Sequence, residues 1–216
     1  MSIQIIPSLL EDSKEKLSQQ LQAIEDEVSM AQIDLADGEF VSNTTCNDPE
    51  FIAEQTDLDL ELHLMVEEPN HQIEKWGNLL QLKRILFHYE STENPEEIIK
   101  HIHKTGCHAG IVLNPDTEID VVENFIDSLE DVMFMGVEPG FQGQELIPEV
   151  LDKMNAFKDK YPETYTQIDG SVNEETLEEI ITTGVNAVCP GSAIFAESDP
   201  AENIKSMKKI IHQLEN

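Results

Sequence analysis

The stretch AQIDLADGEF, residues 31–40, sets an apolar run against two carboxylates. Met30, Ala31 and Ile33 read as a buried strand, yet the run ends in Asp34 and Asp37, three apart, followed by Gly38. An amide, Gln32, stands two residues before the first aspartate. Ionisable groups at the end of an apolar strand need a reason, because burying them without partners is unfavourable.

The same arrangement recurs along the chain. Short apolar runs predict strands at Ile3–Ile6, Met30–Leu35, Leu60–Met65, Ile85–Phe87, Ala109–Leu113, Val132–Val137, Thr166–Ile168 and Ala187–Cys189. Amphipathic segments lie between them. Leu17, Leu21, Ile24 and Val28 share one face of the first, and Ile204, Met207, Ile211 and Leu214 one face of the last. Asp12-Ser13, Asn94-Pro95 and Asp199-Pro200 mark helix starts. Eight strands alternate with eight helical segments at a repeat of roughly 25 to 30 residues, the pattern of parallel strands joined by crossover helices. Eight such units predict an α/β protein with a closed (β/α)8 TIM barrel, a single domain over residues 1–216. A doubly wound open sheet is the competing arrangement, and no G-x-G-x-x-G follows the first strand to favour it.

Composition narrows the classes of partner. The 216 residues carry 13 Lys and Arg against 44 Asp and Glu, a formal charge of −31. Nucleic acid and anionic membrane are poor partners for such a surface. The acid is spread along the whole chain and reads as a solvated exterior suited to a salty cytoplasm. No apolar run is long enough to span a membrane, and MSIQIIPSLLEDSKE has no basic start of a signal peptide. Cys46, Cys107 and Cys189 are odd in number and far apart, as expected of reduced, buried thiols in a cytoplasmic chain.

The residues just after each strand carry the functional signal. In order come Pro7-Ser8, Asp34 to Gly38, His63 to Met65, His88-Tyr89-Glu90, Asn114-Pro115, Glu138 to Gly143, Asp169-Gly170-Ser171 and Pro190-Gly191-Ser192. In a barrel these carboxyl ends converge on one rim, where active sites form. Asp34, His63 and Asp169 come from three strands; two carboxylates and an imidazole can bind a divalent metal or work as base and acid. Gly140, Gly143, Gly170 and Gly191 follow the last three strands, where glycine lets backbone N–H groups approach an anion and barrels bind phosphate. All Lys and Arg fall in helical segments, apart from Lys83 and Arg84 just before the fourth strand. A phosphate would then be held by backbone amides and by hydroxyls such as Ser171 and Ser192, and no rim lysine serves Schiff-base chemistry.

Taken together and in order, IIPSLL, DLADGEFVSN, ELHLMVEEP, FHYE, AGIVLNPDT, MGVEPGFQGQ, QIDGSVN and GSAIF resemble the ribulose-phosphate 3-epimerase family over essentially the whole chain. The resemblance implies a (β/α)8 barrel that interconverts D-ribulose 5-phosphate and D-xylulose 5-phosphate. It implies that Asp34 and Asp169 face each other across the substrate, one taking the proton beside the ketone and the other returning one on the opposite face. A divalent metal (Zn, Mn, Fe or Mg) would stabilise the enediolate, with Asp34, His63 and Asp169 as ligands. Ser8 and His63 match substrate contacts, and Met65 and Met135 match methionines lining the site. Gly140, Phe141, Gln142, Gly143, Gly170, Ser171, Gly191 and Ser192 match the phosphate cradle. Asp37 matches an aspartate read as tying down the loop at Gly38. A homo-oligomer, dimer or hexamer, and a cytoplasmic location follow by the same resemblance.

The chain departs from the family pattern at several positions. Gln32 stands in place of a histidine that serves as the fourth metal ligand; an amide oxygen suits Mg²⁺ or Mn²⁺ better than zinc, so a weaker or different metal, an active site without metal and a changed activity all stay open. Ala36 replaces a methionine, Glu138 an asparagine, Gln142 and Ser171 glycines of the cradle, and Ser42 a proline. Glu138 is expected to turn away from phosphate or to hydrogen-bond elsewhere. These changes keep two alternatives open: an epimerase of another ketose phosphate, such as allulose 6-phosphate, and a catalytically impaired phosphosugar-binding barrel.

Overall fold

The computed structural model describes residues 3–196 and 199–215. Nine parallel strand segments are β1 (Gln4–Ile5), β2 (Ser8–Leu9), β3 (Met30–Ala36), β4 (Asp59–Met65), β5 (Leu82–His88), β6 (His108–Leu113), β7 (Asp131–Met135), β8 (Thr166–Asp169) and β9 (Ala187–Cys189). Their order is β1-β9-β8-β7-β6-β5-β4-β3-β2. The two ends of that order are two halves of one N-terminal strand. β1 pairs β9 through Gln4↔Ala187 and Ile5↔Val188, and β2 pairs β3 through Ser8↔Gln32 and Leu9↔Ile33. The sheet thus closes on itself as a (β/α)8 barrel.

The expected first strand, Ile3–Ile6, is corrected by this split. Pro7 has no N–H to give to the ladder, and the strand changes neighbour across it. Ile6 N donates to Val188 O, Gln32 N donates to Pro7 O, and Ser8 N donates to Pro190 O. Ser8 is therefore part of a strand segment rather than the loop after one.

Alternation explains the opening stretch. Ala31, Ile33 and Leu35 point outward into the core shared with the helices, while Gln32, Asp34 and Ala36 point into the barrel. The same parity places Glu61 and His63, Arg84 and His88, and Gln167 and Asp169 inside, while Leu60, Leu62, Phe87 and Ile168 join the outer core. That core is packed by α1 (Lys14–Ile24), α2 (Pro49–Ala53), α3 (Pro69–Trp76), α4 (Pro95–Thr105), α5 (Glu149–Lys160), α6 (Leu177–Thr182), α7 (Ser192–Phe195) and α8 (Pro200–Leu214). Leu17, Leu21 and Ile24 are buried on α1, which ends before Val28. On α8, Ile204, Met207 and Ile211 are buried, whereas Leu214 at the helix end is exposed. Ser13 and Asp199 cap their helices with side-chain oxygens; Asn94 occupies a cap position without a side-chain bond. The crossover from β6 to β7 has no α-helix and uses two 3₁₀ turns, Ile119–Val122 and Ile126–Ser128. Its β-branched residues are poor helix formers.

The lower half of the barrel holds a buried ionic cluster that the sequence did not announce. β5 begins at Leu82, so Lys83 and Arg84 lie within the strand and not ahead of it. Arg84 Nη1 donates to Glu61 Oε2 at 2.7 Å and lies 2.8 Å from Asp131 Oδ2. Gln167 Nε2 donates to both carboxylates, at 3.0 and 2.7 Å. The guanidinium also stacks on Tyr165, 4.9 Å from the ring centre. Two carboxylates thus share one cation. Burial pushes Asp131 up to about 8; Arg84 pulls it back and the neighbouring Glu61 charge adds to the rise.

Candidate active site

At the carboxyl ends of β3, β4 and β8, three interior side chains meet. The ligand atoms of Asp34, His63 and Asp169 all lie within 4.8 Å of one another, and all three residues are buried. His63 Nδ1 is 2.9 Å from Asp34 Oδ1 and 3.4 Å from Asp169 Oδ2. Burial opposes a charge on His63, but the two carboxylates outweigh it and lift the imidazole to about 9. Burial and the Asp169 charge raise Asp34 above the usual carboxylate range, against hydrogen bonds from His63 and Gln32.

His88, from β5, backs His63: their Nε2 atoms are 2.9 Å apart and the rings stack. Burial first, and then the His63 charge, lower His88 to about 4. A cationic His63 therefore donates to a neutral His88, which fixes the orientation of the His63 ring.

Gln32 reaches the same point from below. Its Nε2 donates to Asp34 Oδ1 at 2.7 Å and to Asp169 Oδ2 at 2.6 Å, and lies 3.4 Å from His63 Nδ1. Its Oε1 is buried with no hydrogen-bond partner.

Above the triad opens a cleft. Ser8, Asp34, His63, Met65, Met135, Asp169 and the loop residues Gly140, Phe141, Gln142, Gly143, Gly170, Ser171, Gly191 and Ser192 all line it. Of the site residues singled out from sequence, Gln32 alone lies beneath the cleft rather than on its wall. Leu10, Val172 and Cys189 also line the cleft; an apolar residue or a lone cysteine on a strand carries no signal that would have singled it out. Glu138 is exposed at the mouth.

No Lys or Arg lines the cleft among the described residues, and the loops are shaped by backbone. Gly140, Gly143 and Gly170 have φ of 109°, 78° and 102°, and Ser171 has φ 57°, a left-handed conformation unusual for a residue with a side chain. At Gly191 an added Cβ would meet the Gln142 amide and Ser8 Oγ, so the loops after β7 and β9 touch across the cleft. Asp37 ties the loop after β3: its Oδ1 accepts from the N–H of Glu39 at 2.8 Å and of Phe40 at 2.9 Å, and its Oδ2 from Glu67 N–H at 2.9 Å. Burial favours its neutral form, but these three N–H groups more than reverse that and hold the carboxyl below its usual range.

Gly136 is a tight junction between β7 and β8. Its N–H donates to Asp169 O at 2.6 Å, and an added Cβ would overlap the Gly170 carbonyl. Gly136→Ala is expected to push β7 from β8 at the level of Asp169. The overpacking costs about 1–3 kcal/mol, and turnover should fall with it; thermal melts and steady-state kinetics on the same preparation check both.

A family model described as the ribulose-phosphate 3 epimerase family matches residues 4–195. The chain belongs to the ribulose-phosphate 3-epimerase family. Relatives in this family include a ribulose-phosphate 3-epimerase of Bacillus subtilis, 33% identical over 214 residues, which are 95% of this chain and 98% of that one. Another, from Mycobacterium tuberculosis, is 30% identical over 211 residues, 95% of this chain and 91% of that one. Among solved structures, KGPDC from Streptococcus mutans superposes with a TM-score of 0.78 at 12% identity, covering 99% of each chain. Orotidine 5'-monophosphate decarboxylase from Sulfolobus solfataricus does so with a TM-score of 0.71 at 12% identity, covering 99% of this chain and 100% of that one. At such identities these two structures speak for the barrel fold. As a member of the ribulose-phosphate 3-epimerase family, the chain is an enzyme, an epimerase.

Proposed function

We propose that this epimerase interconverts D-ribulose 5-phosphate and D-xylulose 5-phosphate by proton transfer at the carbon beside the ketone. The observation that carries the reading is the convergence of Asp34 and Asp169, from opposite sides of the barrel, on one buried point under a cleft. Inversion needs one group to remove the proton and another to supply one on the other face. Because the reaction is reversible, each carboxylate serves as base in one direction and as acid in the other. Asp34, whose proton affinity burial and Asp169 raise, is suited to hold the proton between turnovers. Met65 and Met135 give the sugar an apolar wall beside the carboxylates. The glycine-shaped loops supply backbone N–H groups, and Ser171 and Ser192 hydroxyls, to the phosphate. The partner is a phosphorylated ketose, and the setting the cytoplasm, in keeping with three free buried cysteines. Assembly as a dimer or hexamer is part of the reading and is checked by light scattering.

The donor set fits a divalent ion. Two carboxylates and an imidazole converge, and the orphaned Gln32 Oε1 is a further oxygen beside them. Asp34, His63 and Asp169 would hold the ion, with His88 orienting His63. Bound there, a divalent ion supplies Lewis-acid polarisation of the ketone and of the negative charge that develops on its oxygen.

The test is a coupled assay for conversion of D-ribulose 5-phosphate, on metal-stripped protein and after adding Zn²⁺, Mn²⁺ or Mg²⁺. Turnover is expected, and to rise on addition of metal. No turnover under any condition overturns the pentose-phosphate reading.

A further inference from the structure

The amide nitrogen of Gln32 stands where a cation would. It lies 2.7 Å from Asp34 Oδ1, 2.6 Å from Asp169 Oδ2 and 3.4 Å from His63 Nδ1, the atoms that would ligate an ion. Only a hydrogen-bond donor can sit between two carboxylate oxygens at those distances, so without an ion the carboxylates select the NH₂ face of the amide. The other face, Oε1, is wholly buried and has no partner. A buried oxygen without a donor is an uncommon feature that calls for a physical reason.

We propose that Gln32 is a ligand with two positions. With no ion held, its NH₂ cross-links Asp34 and Asp169; when a divalent cation enters, the carboxamide turns over and Oε1 becomes the fourth ligand. The proposal rests on the reading of Asp34, His63 and Asp169 as metal ligands and deepens it. The terminal torsion of glutamine is broad and roughly two-fold, so a half-turn exchanges nitrogen for oxygen without moving the rest of the side chain. The backbone under it is fixed: Gln32 pairs with Ser8 across the barrel closure and its N–H donates to Pro7 O. The protein offers Oε1 no partner in its present position, so the preference of the amide is set by what the carboxylates hold. A cation between them reverses that preference from donor to acceptor.

The resulting set is two carboxylates, one amide oxygen and one imidazole. Such an oxygen-rich set suits Mg²⁺ and Mn²⁺ better than a nitrogen-richer set would, and gives zinc less advantage. The ion is also exchangeable, because the NH₂ of Gln32 takes its place when it leaves and spares the two carboxylates from facing each other directly.

Binding of Mn²⁺ to the stripped full-length chain, read from the electron paramagnetic resonance signal of the free ion, tests this without turnover. The wild type is expected to bind one Mn²⁺. Gln32→Leu, which removes both the cross-link and the oxygen, is expected to bind it at least tenfold more weakly. Unchanged or tighter binding by the leucine variant means that the amide only obstructs the site, and overturns the proposal, as does a wild type that binds no Mn²⁺.

Gln32→Glu keeps an oxygen and lacks the NH₂. When stripped it should melt below the wild type, and Mn²⁺ should raise its melting temperature more than the wild type's. Equal melting of the two stripped proteins overturns the cross-link. Gln32→His should shift the ratio of zinc to manganese affinity at least tenfold toward zinc, and an unchanged ratio overturns the ligand role. Conversion of D-ribulose 5-phosphate is measured separately on the same samples, so failure of the substrate reading is distinguishable from failure of the amide.

Discussion

Asp34→Asn and Asp169→Asn are each expected to lower kcat/KM for epimerisation by about 10³-fold or more while leaving the barrel folded. A positioned acid or base contributes about 10²–10⁴-fold, and inversion requires both groups within one turnover. Asparagine keeps the shape of aspartate and can still hydrogen-bond Gln32, so circular dichroism and melting should change little. Isotope exchange separates the two roles. In D₂O the wild type should wash deuterium into both epimers. A variant with one surviving carboxylate should still exchange the proton on its own face of one epimer while net conversion stops. Retention of more than a tenth of wild-type conversion by either variant would remove the two-carboxylate assignment.

The largest effect on stability is expected beneath the site. Arg84→Met removes the cation shared by Glu61 and Asp131, both wholly buried. Breaking a buried pair by removing one partner costs about 3–5 kcal/mol. In a chain of this size each kcal/mol moves the melting temperature by about 2–4 °C, so a fall of roughly 6–20 °C is expected. A fall under about 3 °C would mean that the cluster is solvated or already neutral.

The pH dependence has a definite sign. Asp131 rises from 3.8 unfolded to about 8 folded, so the folded protein holds a proton that the unfolded chain has lost. Its stabilising share is whole below the unfolded value and declines as pH rises from about 4 to 8. Asp131→Asn removes that slope. The melting temperature of the variant minus that of the wild type should therefore climb across that window, and a flat difference would refute the raised value.

Much of this is legible in the sequence because barrel chemistry is written at strand ends. DLADG, HLM, EPGFQG, DGS and PGS each put polar residues or glycine where a strand runs out, and in the fold all of them face one cleft. The features that escape the sequence depend on partners far along the chain. Gln32 meets Asp169 across 137 positions, so its place between two carboxylates emerges only once β3 and β8 curve toward each other. Arg84 looks like a flanking charge because the apolar run Ile85–Phe87 is shorter than β5 itself; only the alternation of the longer strand turns it inward. Pro7 looks like the end of a strand, whereas the missing N–H marks a change of neighbour. The crossover after β6 keeps the apolar content of a helix but not the residues that favour one.

The split at Pro7 bears on how the molecule is made. The strand that clasps the barrel is synthesised before the rest of the sheet, yet β1 has no partner until Ala187 and Val188 exist. Until then β2 can join β3, and the growing sheet carries an open edge at its advancing side. Such edges invite pairing with other chains, and contacts so distant in sequence form slowly. The emerging chain is therefore most exposed to aggregation in the interval between translation of β8 and translation of β9, and arrest of synthesis just short of Ala187 should leave a sheet that chaperones recognise and the finished barrel does not present.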